Sequence, residues 1–172
     1  MLNEIFWPED YLPGTTDNYV SNEVIVAGLT VAEVWPLLAT PAIWPTYYAN
    51  SSDVKFHDGK GPLLARGDSF FFRTFGFPVE ALVTECVAPS AGEAARLAWH
   101  GWDGEVGSDS RLDVIHAWLL EDLSGGRVRI LTQESQKGAP ARALAKTLPN
   151  PMINGHQQWL DGLVEAARKA KK

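Results

Sequence analysis

The segment PARALAKTLPNPMINGHQQWLDGLVEAARKAKK, from Pro140 to Lys172, places a wide apolar stripe on one helix, and that stripe needs a large partner. Met152, His156, Trp159 and Leu163 recur at helical spacing, and Leu160, Val164 and Ala167 broaden their face. Gln157, Gln158, Asp161, Glu165 and Arg168 fall on the outer side. Pro149 and Pro151 interrupt the pattern, which predicts a break there and a separate leading turn or two over Ala141–Leu148.

The partner must come from the strand-like runs that precede this helix. Val20, Asn22, Val24 and Val26 alternate along Tyr19–Ala27, a first strand. Thr30 can cap a short helix ending near Ala39, and Thr40 with Pro41 can open a second. SDVKFHD, GDSFFFRTF, PVEALVTECV, ARLAWHGW, RLDVIHAWLLEDL and RVRILTQESQ then read as six strands separated by turn signals. Ser124-Gly125-Gly126 suits a tight hairpin between the last two. Seven strands with one long helix exclude a doubly wound sheet, because each parallel crossover would need its own helix. The predicted class is α+β: a curved seven-stranded antiparallel sheet around the terminal helix, with two short helices after the first strand. Curving a sheet around a helix leaves a gap suited to a ligand.

At 172 residues the chain suits a single domain over residues 18–172, preceded by an irregular arm over residues 1–17 in which Phe6, Trp7 and Tyr11 sit among prolines. The arm is expected to pack on the domain, or else to cover a cavity mouth. The formal charge of -6 argues against nucleic-acid binding, which needs a basic footprint. No segment approaches the length of a membrane span, so stable insertion is not expected. Cys86 stands alone, which fits a reducing, cytoplasmic setting and a packing role.

Known chemical signatures are missing. Four histidines and one cysteine show no HExxH or Cys-x-x-Cys spacing, so no metal site is expected. There is no G-x-S-x-G elbow, P-loop or G-x-G-x-x-G, so no cofactor is predicted. GKGP at residues 59–62 reads as a surface turn, and Asp103, Glu105 and Asp109 as a solvated loop.

Three stretches resemble the START-like helix-grip superfamily, which includes lipid-transfer domains, Bet v 1 plant proteins and Hsp90-activator homologues. VIVAGLTVAEVWPLLATPAIWPTYY is similar to its first strand and helix pair, RLAWHG to its Leu-x-Trp-x-Gly strand, and HAWLLEDLSGGRVRILTQESQKG to its closing hairpin. The resemblance covers roughly residues 19 to 170 and is nearest to the bacterial polyketide cyclase/dehydrase and lipid-transport branch. It implies a cavity for a hydrophobic small molecule such as a lipid, a fatty acid or a polycyclic, polyketide-like compound. It equally admits a cyclase, aromatase or dehydratase, or an Hsp90-activator-like interaction module, since fold alone does not choose among them.

Strand parity nominates the lining. In the last strand Arg127 and Arg129 should seek water, so Val128, Ile130, Thr132 and Glu134 point inward. In the strand before it Leu112, Val114, His116 and Trp118 make the apolar face. Leu97 and Trp99, then Phe70, Phe72 and Thr74, then Val79, Ala81 and Val83 follow by the same rule, and Met152, His156 and Trp159 face them from the helix. An inward Glu134 needs a partner, for which His116, His156 or Arg73 is available. The polar groups then either satisfy one another as a structural network, contact a ligand, or transfer protons, with Tyr47 a further candidate for catalysis.

Overall fold

The structure, a computed structural model, describes residues 2–172. Seven strands, β1 (Asn18–Ala27), β2 (Ser51–Phe56), β3 (Ser69–Thr74), β4 (Phe77–Val87), β5 (Ala95–Asp103), β6 (Leu112–Leu123) and β7 (Arg127–Lys137), form one sheet. Its order is β1-β7-β6-β5-β4-β3-β2, with every neighbouring pair antiparallel. Hairpins therefore build most of the sheet, and only β1 is brought to β7 from the far end of the chain.

Between β1 and β2 lie helix α1 (Val31–Leu38) and a 3₁₀ turn over Pro41–Thr46. Thr30 and Glu33 close a capping box at the start of α1, while Pro36 keeps the helix short. The second predicted helix is the 3₁₀ turn, because Pro45 lacks the amide donor that an α-helical bond to the Pro41 carbonyl would need. After β7, α2 (Ala139–Lys146) stops before Pro149 and α3 (Pro151–Ala170) restarts with Asn150 as its cap, so the predicted break is present. No helix among the described residues is long and apolar enough to cross a membrane.

The concave face of the sheet and α3 enclose an aromatic core centred on Trp44. Its ring centroid lies 5.0 Å from Trp159, 5.5 Å from Phe72, 5.6 Å from Trp99 and 5.9 Å from Phe70. Its indole N–H donates to the Leu38 carbonyl at 2.8 Å, so the ring is buried without losing its hydrogen bond. Gly162 on α3 lets the Tyr47 backbone approach so closely that a Cβ would overlap its carbonyl. Most of the expected gap is filled by these rings.

The opposite face of the sheet departs from the sequence reading. Arg129, expected in water, is buried, because residues 2–11 cross over it. Its Nε and Nη1 donate to Glu23 at 2.5 Å and Glu121 at 2.6 Å, and Nη1 also reaches the Asn3 carbonyl. Ile5 packs beside this group on Ala98, Ala117, Leu119 and Leu131. Outward positions of β6 and β7 are thus dry where the arm covers them.

Candidate functional site

β6 and β7 place His116 directly opposite Glu134 on the concave face. α3 crosses that face and brings His156 to the same carboxylate. Glu134 Oε2 stands 3.0 Å from His116 Nδ1 and 3.3 Å from His156 Nε2. The imidazoles are stacked, with centroids 4.6 Å apart and planes 22° from parallel. All three residues are buried. His116 uses its other nitrogen, Nε2, on Thr132 Oγ1 at 2.8 Å, whereas His156 Nδ1 has no partner among the described residues.

The carboxylate continues into a polar chain. Gln136 Nε2 donates to Glu134 Oε1. Asn18 Nδ2 donates to Gln136 Oε1 at 2.6 Å, and Asn150 Nδ2 donates to Asn18 Oδ1 at 2.8 Å. Asn150 Oδ1 in turn accepts the Met152 amide at 3.0 Å, capping α3. The buried acid and the start of the helix that carries His156 are therefore tied through three amide side chains.

Burial dominates the electrostatics. It pushes the His116 imidazole down to about 4 against the pull of Glu134, so the ring is neutral at pH 7. Burial also opposes ionisation of Glu134, but contacts from His116 and His156 outweigh it and hold the carboxyl below the usual range. The centre therefore combines a carboxylate, a neutral imidazole and a second imidazole within reach of one oxygen, a set able to accept a donor, coordinate a cation or move a proton.

Beside this centre lies a cavity of about 30 Å³, lined by His116, Glu134 and His156 together with Phe72, Thr74, Phe75, Val79, Trp99, Met152 and Trp159. The volume is near that of one water molecule. Phe75 forms one wall at the β3–β4 turn, where its φ of 50° and the 80° of Gly76 place two consecutive residues in the left-handed region. Such a turn favours Asn-Gly, so a phenylalanine there is held against its own preference. Asn50 Oδ1 supports it by accepting the Phe75 amide at 3.0 Å.

No protein-family profile and no curated protein matches the sequence. Among solved structures, the hypothetical protein jhp0584 from Helicobacter pylori is 50% identical over 97% of this chain and 98% of that one, with a TM-score of 0.91. This chain belongs to that protein's family, and its fold is the START-like helix-grip fold. More distant helix-grip structures include the di-domain ARO/CYC StfQ from the steffimycin biosynthetic pathway, 14% identical over 88% of this chain and 45% of that one, with a TM-score of 0.60. Norcoclaurine synthase from Thalictrum flavumn is 9% identical over 90% and 96% of the two chains, with a TM-score of 0.63.

Within this helix-grip domain, Phe72, Thr74, Val79, Trp99, Leu112, Val114, His116, Glu134, Met152, His156 and Trp159, all read as inward from sequence, border the cavity. Phe70, Trp118 and Thr132 point inward but lie in the packed core away from it. Tyr47 is also elsewhere. Its hydroxyl donates to the Leu37 carbonyl at 3.0 Å, and burial pushes the phenol up. Arg73 turns away from Glu134 and sits 3.3 Å from Asp53 at the surface. Sequence reasoning passed over Phe75 and the Gln136–Asn18–Asn150 chain. One signal for Phe75 was available: Gly155, a glycine inside an amphipathic helix, marks a close approach by a neighbour.

Proposed function

We propose that this protein binds a small, largely apolar molecule between the sheet and α3, with the polar end of that molecule against His116, Glu134 and His156. The observation that carries the reading is the trio of unpartnered buried atoms on cavity-lining residues, His156 Nδ1, Thr74 Oγ1 and Trp159 Nε1. A buried polar group without a partner costs on the order of 1–3 kcal/mol, and a ligand atom bonded to it recovers that cost. The apolar remainder of the wall suits a hydrocarbon or aromatic body.

Two features narrow the class. An ionised Glu134 disfavours a second carboxylate, so a hydroxyl or amine end fits this site better than a fatty-acid head. The cavity of about 30 Å³ is far below the several hundred Å³ of drug-sized sites, so a larger guest enters as Phe75 and its turn withdraw. StfQ is an ARO/CYC protein and the norcoclaurine synthase structure is a complex with a transition-state analogue, so the shared fold supports a small-molecule reading.

Thermal-shift measurements on purified protein, made in chelator, test this with matched alcohols, phenols, amines and fatty acids. Hydroxylated or amine-bearing hydrophobes should raise the melting temperature more than fatty acids of equal size, and His156→Ala should abolish the difference. Indifference to the whole panel overturns the proposal. A second reading, proton transfer within the Glu134–His116–His156 cluster, draws on the same buried carboxylate flanked by imidazoles. Turnover of a cyclisable substrate that persists in Glu134→Gln would exclude it.

A further inference from the structure

We infer that His116, Glu134 and His156 form a binding site for one divalent transition-metal cation of the zinc or iron(II) kind. The inference concerns the same centre as the ligand reading but stands on the geometry of three donors and needs no hydrophobic guest.

One carboxylate and two imidazoles are a donor set that borderline cations take. Their candidate ligand atoms all lie within 4.8 Å of one another, on three buried residues. Donors bound at about 2.0–2.2 Å around a tetrahedral ion stand roughly 3.3–3.6 Å apart. Glu134 Oε2 lies 3.3 Å from His156 Nε2, at the edge of that range, and 3.0 Å from His116 Nδ1, slightly inside it, so the donors already stand close to bonding separation. The stacked rings do not yet aim both lone pairs at one point, so one imidazole must turn. His156 can do so by adjusting only its 3.3 Å contact with Glu134, since its Nδ1 holds no hydrogen bond and the cavity lies beside it.

The supporting contacts match those of metal centres. His116 Nε2 is held by Thr132 Oγ1, whose hydroxyl can accept from an Nε2–H, so Nδ1 can give up its proton and coordinate an ion. Glu134 Oε1 accepts from Gln136, leaving Oε2 for the ion. Three protein donors beside a water-sized space make an open site, with a position for water or another small ligand.

The other two histidines supply controls. His57 pairs with Glu80 at 2.7 Å and His100 with Asp113 at 2.5 Å, both partly exposed and each with a single imidazole on the carboxylate. The full chain is stripped with EDTA, then titrated with Co²⁺ and with Zn²⁺. One Co²⁺ per chain should bind with ligand-field absorption in the visible, be displaced by Zn²⁺, and shift the ring protons of both His116 and His156 paramagnetically. Glu134→Gln and His156→Ala should lose the absorption, whereas His57→Ala and His100→Ala keep it. Thr132→Val, which removes only the positioning bond, should weaken affinity roughly 10–100-fold. The ring-proton shifts are read on the wild-type protein, so a variant that fails to fold does not block the test. No uptake, uptake indifferent to Glu134→Gln, or shifts confined to His57 or His100 would overturn the inference. Its failure leaves the hydrophobe panel, run in chelator, unaffected.

Discussion

The ring of Phe75 occupies the space that a side chain at residue 155 would need, and Gly155 is what admits it. A turn between two strands is thereby locked onto the helix that carries His156. The Phe75 and His156 rings lie 6.3 Å apart, so this contact closes the cavity at its edge.

Gly155→Ala should therefore lower stability although alanine gains about 1 kcal/mol of helix propensity. The added Cβ overlaps the Phe75 ring, and overpacking of this kind costs roughly 1–3 kcal/mol. Urea denaturation should show Gly155→Ala less stable than wild type, and little or no such loss when it is placed on a Phe75→Asn background. Additive losses would show that the two residues are not coupled.

Phe75→Asn is the cleaner probe of access. Asparagine suits the left-handed backbone of the turn, so folding is preserved while the ring that walls the cavity is lost. Stopped-flow binding of a fluorescent hydrophobe should show faster association than in wild type. Equal rates would place entry elsewhere.

Cutting the polar chain at Asn18 should be costly for a residue so far from α3 in sequence. Asn18→Ala leaves Gln136 Oε1 without its donor and Asn150 Nδ2 without its acceptor. A loss of about 1–3 kcal/mol in chemical denaturation is expected, with faster amide exchange at the start of α3. A neutral substitution would show that water replaces these bonds.

Acid should weaken the arm-covered face in a defined window. Burial opposes the charge on Glu121, but hydrogen bonds from Arg129 and Asn3 outweigh it and hold the carboxyl below its usual range. A carboxyl depressed in the folded state adds stability above its unfolded value of roughly 4.3 and loses it as pH falls through the folded value. The melting-temperature gap between wild type and Glu121→Gln should be widest near pH 7 and narrow below about pH 4. A gap that stays constant with pH would remove Glu121 from the acid response.

Much of the architecture was legible because strand periodicity is local. Val128 and Ile130 oriented β7, and the same alternation carried Thr132 and Glu134 to the concave face, where both are found. Proline spacing likewise marked the break between α2 and α3. Arg129 defeated the same reasoning. Alternation tells which side a residue takes, but the arm covering that side comes from more than a hundred residues away in the chain.

By itself the sequence determined the seven-stranded antiparallel sheet, the terminal helix and the inward direction of His116, Glu134 and His156, because each follows from side-chain period and turn residues over short stretches. Only the tertiary structure decided that these three meet at one carboxylate oxygen, that Trp44 and its neighbours fill most of the space beside them, and that Phe75 walls what is left. Those outcomes depend on cross-strand register, on where α3 crosses the sheet and on ring packing. Each couples residues far apart in the chain, which no local pattern encodes.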